Sequence, residues 1–351
     1  MFSHPAFDDH ERLIYAYDDA SGLSAIVAIH NTVLGPAFGG CRMWPYANES
    51  EALTDVLRLA RGMTHKAAIC DLPYGGGKAV ILGDPASEKT PELLRAMGRV
   101  VGGMHGQYIV ADDVGIGLAD LAVMRQETSH TAAATESAQA PLPVTAFGVL
   151  MAIEAAVAHR LERAELAGLR VAVQGLGNVG APLCRFLKDW DADLVVTDID
   201  AERLAATQET FGARAVAPDE IYDQDVDVFA PCALGAVLTD ETIPRLGAKI
   251  VCGGANNQLE AARHDAMLAA RGITFVPDTI ASAGGVIDFS RERVDDRPEA
   301  VLTAVTRLRE ITADVLARAA ASAETPLTVA DRIVRERLEA ARLARRAGLS
   351  T

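Results

Sequence analysis

The chain has 351 residues, 50% of them hydrophobic and 23% charged, and it carries a formal net charge of −15. This balance is typical of a soluble globular protein, and the length allows two domains with ordinary cores. The acidic charge and the lack of a long basic run argue against nucleic acid or an anionic membrane as a partner, because both favour clustered Lys and Arg.

The N-terminal sequence and the cysteines favour a cytoplasmic protein. The first residues lack the basic and then apolar pattern of a signal peptide, and we find no apolar stretch of the roughly 18 residues that span a bilayer. The cysteines are odd in number, widely spaced and without a CxxC pair, which favours reduced thiols over disulfides or a zinc site. They are Cys41, Cys70, Cys184, Cys232 and Cys252. The eight histidines show no zinc-binding spacing, so the sequence predicts no metal.

The first part of the chain mixes predicted strands and helices. A strand-like pattern covers 23–32, and helical patterns cover 49–68 and 90–104. Between these two helices lies the sequence DLPYGGGKAVILGDP. A polar, proline-bearing stretch at 135–143 is a predicted linker, and a predicted helix over 144–161 follows it.

From residue 170 onward, short apolar runs alternate with helix-length segments. Strands buried on both faces read as continuous apolar runs, and their alternation with helices predicts a parallel, doubly wound sheet. Two long helical patterns follow, at about 298–323 and 326–347. The predicted fold class is therefore α/β with two domains, at 1–140 and 141–325, and the C-terminal helix at about 326–351 is expected to rejoin the first domain.

A glycine-rich turn predicts a dinucleotide site. Gly175, Gly177 and Gly180 form GxGxxG between a predicted strand and helix, where glycines allow close approach of a pyrophosphate to the helix N-terminus. The next apolar run ends in Asp198, whose carboxylate can bind the ribose hydroxyls of NAD and would repel the 2′-phosphate of NADP. Arg203, close by in sequence, keeps NADP open. The alternative is a tight turn without a ligand and an Asp that caps a helix.

Two lysines and one aspartate are candidates for catalysis. Lys78 follows three glycines, but Ala79 stands where a Walker phosphate loop needs Ser or Thr. Lys66 lies twelve residues upstream, and Asp113 closely follows an apolar run. Such a set can bind an anionic substrate that bears an amine, with one lysine pairing the carboxylate and the other transferring protons. The alternative is that each lysine is a solvated surface charge.

The segments around these residues resemble those of the Glu/Leu/Phe/Val dehydrogenase superfamily. They are LGPAFGGCRMWPY, VLRLARGMTHK, LPYGGGKAVILGDP, ADDVG, VAVQGLGNVG, FAPCALGA, GGANNQL and SAGGVI. The resemblance runs from about residue 10 to 345 and is strongest to the leucine, valine, phenylalanine and tryptophan dehydrogenase branch. It implies an N-terminal substrate-binding, catalytic and oligomerisation domain, a Rossmann NAD-binding domain, a cleft between them and a homo-oligomer. It also implies reversible NAD-dependent oxidative deamination of an apolar, leucine- or valine-like L-amino acid to the 2-oxo acid and ammonium.

The resemblance also implies a role for each matching residue. Lys66 is similar to the lysine that pairs with the substrate carboxylate, Lys78 to the general base that activates water, and Asp113 to the carboxylate that moves protons to and from the substrate nitrogen. The residues expected at the substrate are Gly39, Gly40, Asn256 and, around the side chain, Phe38, Met63, Ala111, Val286 and Phe289. Those expected at NAD are Gly175, Gly177, Asn178, Val179, Gly180, Asp198, Cys232, Ala233, Leu234, Ala255 and Asn256.

Some positions depart from the family's pattern. Ser282 stands where Asn is usual, Ile116 stands where Thr is usual, and the segment 288–297 is shortened. Phe38 and Phe289 are bulkier than the aliphatic residues of leucine enzymes, although ordinary core packing explains a single Phe equally well. Two alternatives therefore stay open. One is the same reaction on an aromatic or polar amino acid, and the other is a catalytically impaired NAD-binding protein with a regulatory role.

Overall fold

The computed structural model describes residues 2–132, 143–292 and 298–348. The chain divides into two compact units, the first Met1–Ala140 with Arg335–Thr351 and the second Pro141–Val334. The predicted linker at 135–143 lies outside the described residues apart from Pro143, and so do residues 293–297 of the shortened segment.

The first unit contains a five-stranded sheet. Its strands are β1 (Arg12–Asp18), β2 (Leu23–Asn31), β3 (Ala37–Trp44), β4 (Gly75–Leu82) and β5 (Tyr108–Ala111), and its helices are α1 (Glu49–Ile69), α2 (Pro91–Gly102) and α3 (Leu118–Met124). The strand order is β1-β2-β4-β3-β5, with β3 parallel to β4 and β5, and β2 antiparallel to β1 and β4. The sequence pattern predicts β2, α1 and α2 but not β1, because this edge strand is only partly buried.

Alternating side chains of the central strands divide between two cores. Val27, Cys41 and Ala79 belong to the core formed with α2 and α3, whereas Ile26 and Val80 pack with α1. Side chains two residues apart in a strand point to the same face. Even-numbered residues of β2 and β4 therefore face α1.

The three glycines at the start of β4 each allow a close approach by another element. A Cβ atom on Gly76 would lie 2.1 Å from the amide nitrogen of Thr64 in α1. One on Gly77 would lie 2.9 Å from the ring of Tyr108 in β5, and one on Gly75 would overlap the backbone of β2. The glycines are therefore part of a strand that is packed tightly on all sides, not a phosphate-binding loop.

Helix α1 has hydrogen-bonding partners at both ends. At its start, Oδ1 of Asn48 accepts a hydrogen bond of 3.0 Å from the amide of Glu51. At its end, the guanidinium of Arg337 in helix α11 (Pro326–Arg346) donates to the carbonyl oxygens of Ala68 and Ile69. A cation at this position satisfies carbonyl groups that a helix leaves free and interacts favourably with the helix dipole. The C-terminal part of α11 is thereby bound to α1.

The second unit is built on a six-stranded parallel sheet. Its strands are β6 (Arg170–Gln174), β7 (Asp193–Thr197), β8 (Arg214–Ala215), β9 (Val228–Pro231), β10 (Ile250–Val251) and β11 (Thr274–Phe275). Its helices, besides the start of α11, are α4 (Val144–Leu161), α5 (Gly180–Asp189), α6 (Ala201–Phe211), α7 (Arg263–Ala270), α8 (Asp278–Ala281), α9 (Gly284–Glu292) and α10 (Pro298–Ser322). The strand order β11-β10-β9-β6-β7-β8 confirms the predicted doubly wound sheet. It changes direction between β6 and β9, where open α/β sheets bind ligands at the carboxyl ends of their strands.

Helix α4 corrects one expectation from the sequence. It has 18 residues and is apolar enough to cross a membrane by length and composition, so the expectation that no such stretch exists is wrong here. In the structure 67% of it is buried, and α10 packs along it. A Cβ atom on Gly148 of α4 would lie only 2.8 Å from Leu308 of α10. This burial accounts for the apolar composition of α4, because a helix buried on most sides is apolar on most sides.

Replacing Gly76 with alanine should destabilise the protein, because the new Cβ would overlap the backbone of α1 rather than a flexible side chain. We expect the free energy of unfolding to fall by about 1–3 kcal/mol, as measured by urea denaturation. The control is Gly62→Ala within α1, where a Cβ meets nothing within 4 Å. This change replaces a helical glycine and should be neutral or stabilising by about 0.5–1 kcal/mol. Equal midpoints for the two variants would contradict the packing role of Gly76.

Candidate active site

Lys78 lies in the middle of β4 on the face that α1 covers, with Gly40 of β3 beside it. A Cβ atom on Gly40 would lie 3.1 Å from Nζ of Lys78 and 2.8 Å from Cβ of Asp113. Only glycine leaves space for the ammonium group and the carboxylate next to each other at this point. Lys78 is 5% exposed and Lys66 is 7% exposed, so neither lysine is a solvated surface charge in this unit.

Asp113, in the turn after β5, is the ionic partner of Lys78. Nζ of Lys78 lies 3.2 Å from Oδ2 of Asp113. The backbone of Asp113 exchanges hydrogen bonds of 3.1 and 2.9 Å with that of Ile116. Ile116, which replaces a usual Thr, contributes its backbone to this turn and its side chain to the core with α2. The turn that holds Asp113 therefore needs no hydroxyl group at this position.

A second cation, Arg42, also contacts Asp113 and was not predicted from the sequence. Nε of Arg42 donates to Oδ2 of Asp113 at 2.8 Å, and Nη1 donates to Oδ2 of Asp55 in α1 at 2.8 Å. The hydroxyl of Tyr46 donates to the same oxygen of Asp55 at 2.7 Å. The sequence contains one signal for Arg42, which follows Gly40 by two residues. Residues two apart in a strand lie on the same face of the sheet.

The formal charges of this cluster balance. Lys78 and Arg42 contribute two positive charges, and Asp113 and Asp55 contribute two negative charges. Burial alone would raise the pKa of Asp113, but Lys78 and Arg42 outweigh burial and hold this pKa below its usual range. Burial alone would lower the pKa of Arg42, but Asp113 and Asp55 raise it. Asp113 is therefore ionised at neutral pH although it is largely buried.

Helix α1 carries two more of the predicted residues. Met63 lies beside β3, since a Cβ atom on Gly39 would come within 3.1 Å of Cγ of Met63. Lys66 follows Asp55 by eleven residues in the same helix. Eleven residues make about three turns, so Lys66 and Asp55 lie on the same side of α1.

The two remaining candidates of the first unit are buried in the sheet. Phe38 in β3 lies next to Tyr74, with 6.0 Å between the ring centroids. Ala111 in β5 pairs with Gly40 in the ladder between β3 and β5. The structure therefore brings Gly40, Ala111, Lys78 and Asp113 together, while Phe38 lies two residues before Gly40 in the same strand.

The turn between β6 and α5 has the geometry that a dinucleotide requires. Gly175 has a φ of +92°, which glycine adopts without strain. A Cβ atom on Gly180 would lie 1.8 Å from the carbonyl oxygen of Gly175, so α5 packs directly on the turn. Among the described residues, the nearest atom to a Cβ on Gly177 is Nη1 of Arg203 at 3.9 Å. Gly177 thus leaves open the side from which a pyrophosphate approaches a helix N-terminus.

Asp198 follows β7 and is bound to the same turn. Its Oδ2 accepts a hydrogen bond of 2.5 Å from the amide of Leu176, and its Oδ1 accepts one of 2.8 Å from the amide of Asp200. This is the position expected for a carboxylate that binds the ribose of NAD. Arg203 is paired with Asp200 at 3.2 Å, so a carboxylate other than Asp198 neutralises it.

The other predicted cofactor residues lie in the turn itself and in the loops after β9 and β10. Ala233 contacts the turn, since a Cβ atom on Gly175 would lie 2.6 Å from the Cβ of Ala233. Val179 packs against Gly254, where a Cβ atom would lie 2.5 Å from Cγ1 of Val179. The backbone amides of Cys232 and Ala255 donate hydrogen bonds to carbonyl oxygens at the ends of β6 and β9. Asn178 and Leu234 are exposed.

Ser282, at the position where the family usually has Asn, lies beside Asn256. Its Oγ donates to the carbonyl oxygen of Asp278 at 2.6 Å and lies 3.5 Å from Oδ1 of Asn256. Val286 and Phe289, the two pocket candidates of the second unit, are buried in α9. The serine therefore keeps a polar group next to Asn256.

Comparison with known proteins gives the family of the chain. Residues 10–130 match the family model described as Glu/Leu/Phe/Val dehydrogenase, dimerisation domain, and residues 137–202 and 196–345 match Glutamate/Leucine/Phenylalanine/Valine dehydrogenase. Leucine dehydrogenase of Bacillus subtilis (strain 168) is 44% identical over 98% of this chain and 96% of its own length. L-tryptophan dehydrogenase of Nostoc punctiforme (strain ATCC 29133 / PCC 73102) is 47% identical over 81% of each chain. A crystal structure of L-tryptophan dehydrogenase from Nostoc punctiforme matches with a TM-score of 0.79 and 42% identity, over 95% of this chain and 97% of the other.

A doubly wound sheet with a dinucleotide turn in one unit, and a buried lysine paired with a carboxylate in the other, define the class of pyridine-nucleotide dehydrogenases. The chain belongs to the Glu/Leu/Phe/Val dehydrogenase family. This confirms the resemblance that its motifs carry, and it makes the protein an amino acid dehydrogenase.

Replacing Asp113 with asparagine should reduce the stability of the protein at neutral pH more than at acid pH. The pKa of Asp113 is lower in the folded protein than its usual value. The ionised carboxylate therefore stabilises the fold fully above about pH 4, and this contribution is lost as the pH falls through the folded pKa. We expect the difference in unfolding free energy between wild type and Asp113→Asn, measured by urea denaturation, to be largest near neutral pH.

The control for this measurement is Asp112→Asn, which removes the exposed neighbouring carboxylate and should change stability little at any pH. A difference between wild type and Asp113→Asn that stays constant from neutral pH to below about pH 4 would contradict the stabilising role of the ionised carboxylate.

Proposed function

We propose that the protein catalyses the reversible, NAD-dependent oxidative deamination of an apolar L-amino acid to the 2-oxo acid and ammonium. The observation that carries this proposal is the contact between buried Lys78 and Asp113 beside Gly40. Deamination needs a base within hydrogen-bond reach of the attacking water and a second group within hydrogen-bond reach of the nitrogen. Both groups must therefore lie next to the same substrate carbon. An amine and a carboxylate 3.2 Å apart meet this requirement.

Each of the three charged residues has a separate role in this proposal. Lys66 pairs with the substrate carboxylate, and Asp113 takes a proton from the substrate ammonium group. The nicotinamide supplies a hydride acceptor when it is bound. Loss of the Cα hydride leaves an iminium carbon, and Lys78, in its neutral form, removes a proton from the water that adds to this carbon. Asp113 then returns its proton to the nitrogen, and the C–N bond breaks. The hydroxyl proton leaves with the departing ammonia, which gives the 2-oxo acid and ammonium, and the proton on Lys78 passes to solvent.

We infer that the cofactor is NAD rather than NADP. Gly175, Gly177 and the amino end of α5 would hold the pyrophosphate. Asp198, fixed by two backbone amides, would accept hydrogen bonds from the ribose and repel a 2′-phosphate. The pairing of Arg203 with Asp200 supports this choice, because it partly neutralises the cation nearest the turn.

The proposed substrate has an apolar side chain. Phe38, Met63 and Ala111 offer apolar surface near Lys78 and Asp113, and the role of Val286 and Phe289 at the substrate side chain stays a prediction from the family resemblance. A pocket with apolar walls and a few polar groups favours an apolar ligand. We propose an aliphatic amino acid such as leucine or valine. An aromatic amino acid is the second candidate, and the 47% identity to an L-tryptophan dehydrogenase favours it.

We also propose that the protein forms homo-oligomers in the cytoplasm. The family model that matches residues 10–130 is described as a dimerisation domain. Edge strand β1 of this unit exposes Tyr15 and Tyr17, and natural proteins usually cover or protect such an edge. All five cysteines are free thiols, which fits a reducing compartment.

The variants Lys78→Ala and Asp113→Asn should each lower kcat for amino acid oxidation by about a hundredfold or more. NADH binding, measured by fluorescence titration, should be nearly unchanged, because the proposed dinucleotide site lies in the second unit. The matched control is Lys188→Ala, which removes an exposed lysine of α5 and should keep the wild-type kcat. Wild-type turnover by either of the first two variants would refute the roles assigned to them.

A panel of L-amino acids, each with NAD or NADP, should identify the substrate class through the absorbance of the reduced nucleotide. We expect the highest kcat/KM for leucine or valine with NAD. One methylene group in an apolar pocket changes discrimination by about 1–3 kcal/mol, so the preferred substrate should stand out clearly. A higher kcat/KM for phenylalanine or tryptophan would favour the second candidate. A complete lack of nucleotide reduction with every amino acid would favour the catalytically impaired regulatory protein.

A further inference from the structure

The carboxylate of Asp113 is engaged on one side only. Nζ of Lys78 at 3.2 Å and Nε of Arg42 at 2.8 Å both meet Oδ2, and within the described parts of the chain no hydrogen bond reaches Oδ1. The side chain of Asp113 is 17% exposed, so Oδ1 remains accessible to a group that enters the site. In the proposed reaction, that group is the amine of the substrate.

Arg42 is held in place by a second carboxylate. Its Nη1 lies 2.8 Å from Oδ2 of Asp55, and this oxygen also accepts a hydrogen bond of 2.7 Å from the hydroxyl of Tyr46. The guanidinium is planar, and its N–H groups point in fixed directions. The contact at Nη1 therefore also determines the direction in which Nε meets Asp113.

Lys78 cannot hold Asp113 in its ionised form throughout the proposed reaction. Lys78 has to be neutral before it can act as a base, so its attraction for the carboxylate is already lost when Asp113 takes the proton of the substrate ammonium group, while burial still favours the protonated carboxyl group. Arg42 keeps its charge at any working pH. It is therefore the cation that remains beside Asp113 in the step in which Asp113 takes the proton of the substrate ammonium group with Lys78 already neutral.

We propose that Arg42 is the positioning residue for Asp113, an inference that rests on the proposed function. Arg42 turns Oδ2 of Asp113 toward Lys78, leaves Oδ1 for the substrate amine and, with Lys78 already neutral, keeps the carboxylate ionised until it takes the proton of the substrate ammonium group. Asp55 and Tyr46 act through Arg42 by fixing the orientation of its guanidinium.

The other titratable groups around Asp113 do not compete for this role. Burial, with a smaller contribution from Asp113, raises the pKa of Cys41 in β3 to about 12. Burial likewise raises the pKa of Tyr108 in β5 well above its usual value. Both groups are therefore neutral at working pH. Asp120, whose negative charge also helps to raise the pKa of Cys41, is paired with Lys89 at 2.7 Å.

The variant Arg42→Met tests the proposal, because it keeps an unbranched side chain and removes the charge. We expect kcat for oxidative deamination to fall by about a hundredfold. The acidic limb of the profile of kcat against pH should move to higher pH by about one to three pH units, since an opposite charge that favours ionised Asp113 is lost. The Kd for NADH should be unchanged.

Two further variants separate the charge of Arg42 from its orientation. Asp55→Asn keeps the guanidinium charge but loosens its orientation, so kcat should fall without an upward shift of the acidic limb. Arg42→Lys keeps the charge with a different donor geometry, so its kcat should lie between those of Arg42→Met and wild type. If Arg42 had a purely structural role, Arg42→Met and Asp55→Asn would not differ in the shift of the acidic limb while both lose kcat.

The matched control is Arg245→Met in the second unit. Arg245 also bridges two carboxylates, with Asp219 at 2.8 Å and Asp223 at 2.6 Å. Its replacement removes the same kind of contact from the unit that does not contain Lys78 and Asp113. The kcat and the pH profile of this variant should match those of wild type.

The outcomes of these experiments distinguish the two proposals. An unchanged kcat and pH profile for Arg42→Met, where wild type is active and Lys78→Ala is not, would overturn the role of Arg42 and leave the proposed function intact. A wild-type protein that oxidises no amino acid would overturn the proposed function itself. If Arg42→Met does not fold, wild-type kcat in both Arg42→Lys and Asp55→Asn would overturn the role of Arg42.

Discussion

The pairing of one buried carboxylate with two cations is the interaction on which the candidate active site depends. Removing an ionised carboxylate from water costs several kcal/mol unless hydrogen bonds and opposite charges compensate. For Asp113 the compensation comes from Lys78 and Arg42 together, and Arg42 is in turn balanced by Asp55. Four segments that are distant in sequence, β3, α1, β4 and the turn after β5, must therefore be in position at once.

This cluster also requires space, and glycine provides it. Gly40 leaves room for the ammonium group of Lys78 beside the carboxylate of Asp113. Gly76 lets the backbone of α1 approach β4 directly, and this helix carries Asp55 into contact with Arg42. The glycines before Lys78 are thus a consequence of burying charged groups between a helix and a sheet. A β4 with larger side chains at these positions would hold α1 farther from the strand.

The features that the sequence predicts are those with a local pattern. Glycine spacing marks the dinucleotide turn, apolar runs mark five of the six strands of the parallel sheet, and glycine and apolar neighbours single out Lys78 as an unusual lysine. Asp55 has no such pattern and Arg42 has only its spacing of two from Gly40, because an Arg in a strand and an Asp in a helix are normal surface residues until the fold brings them together. The edge strands β1 and β8 are also missed, since neither contains a fully buried residue.

The cluster of charges and the pocket for the substrate side chain are subject to different physical constraints, and this explains why the family is evident while the substrate is not. Removing one partner of a buried ion pair leaves an uncompensated charge and costs about 3–5 kcal/mol, so Lys78, Arg42 and Asp113 cannot be changed one at a time without a large loss of stability. Phe38 and Met63, which are proposed to contact the substrate side chain, bear only on the shape of an apolar surface, and about 1–3 kcal/mol per methylene is enough to change which amino acid fits best. A chain 44% identical to a leucine dehydrogenase and 47% identical to an L-tryptophan dehydrogenase therefore reveals its chemistry through its buried charges. Its substrate preference depends on a few apolar positions, and changes at so few positions hardly alter the overall sequence identity.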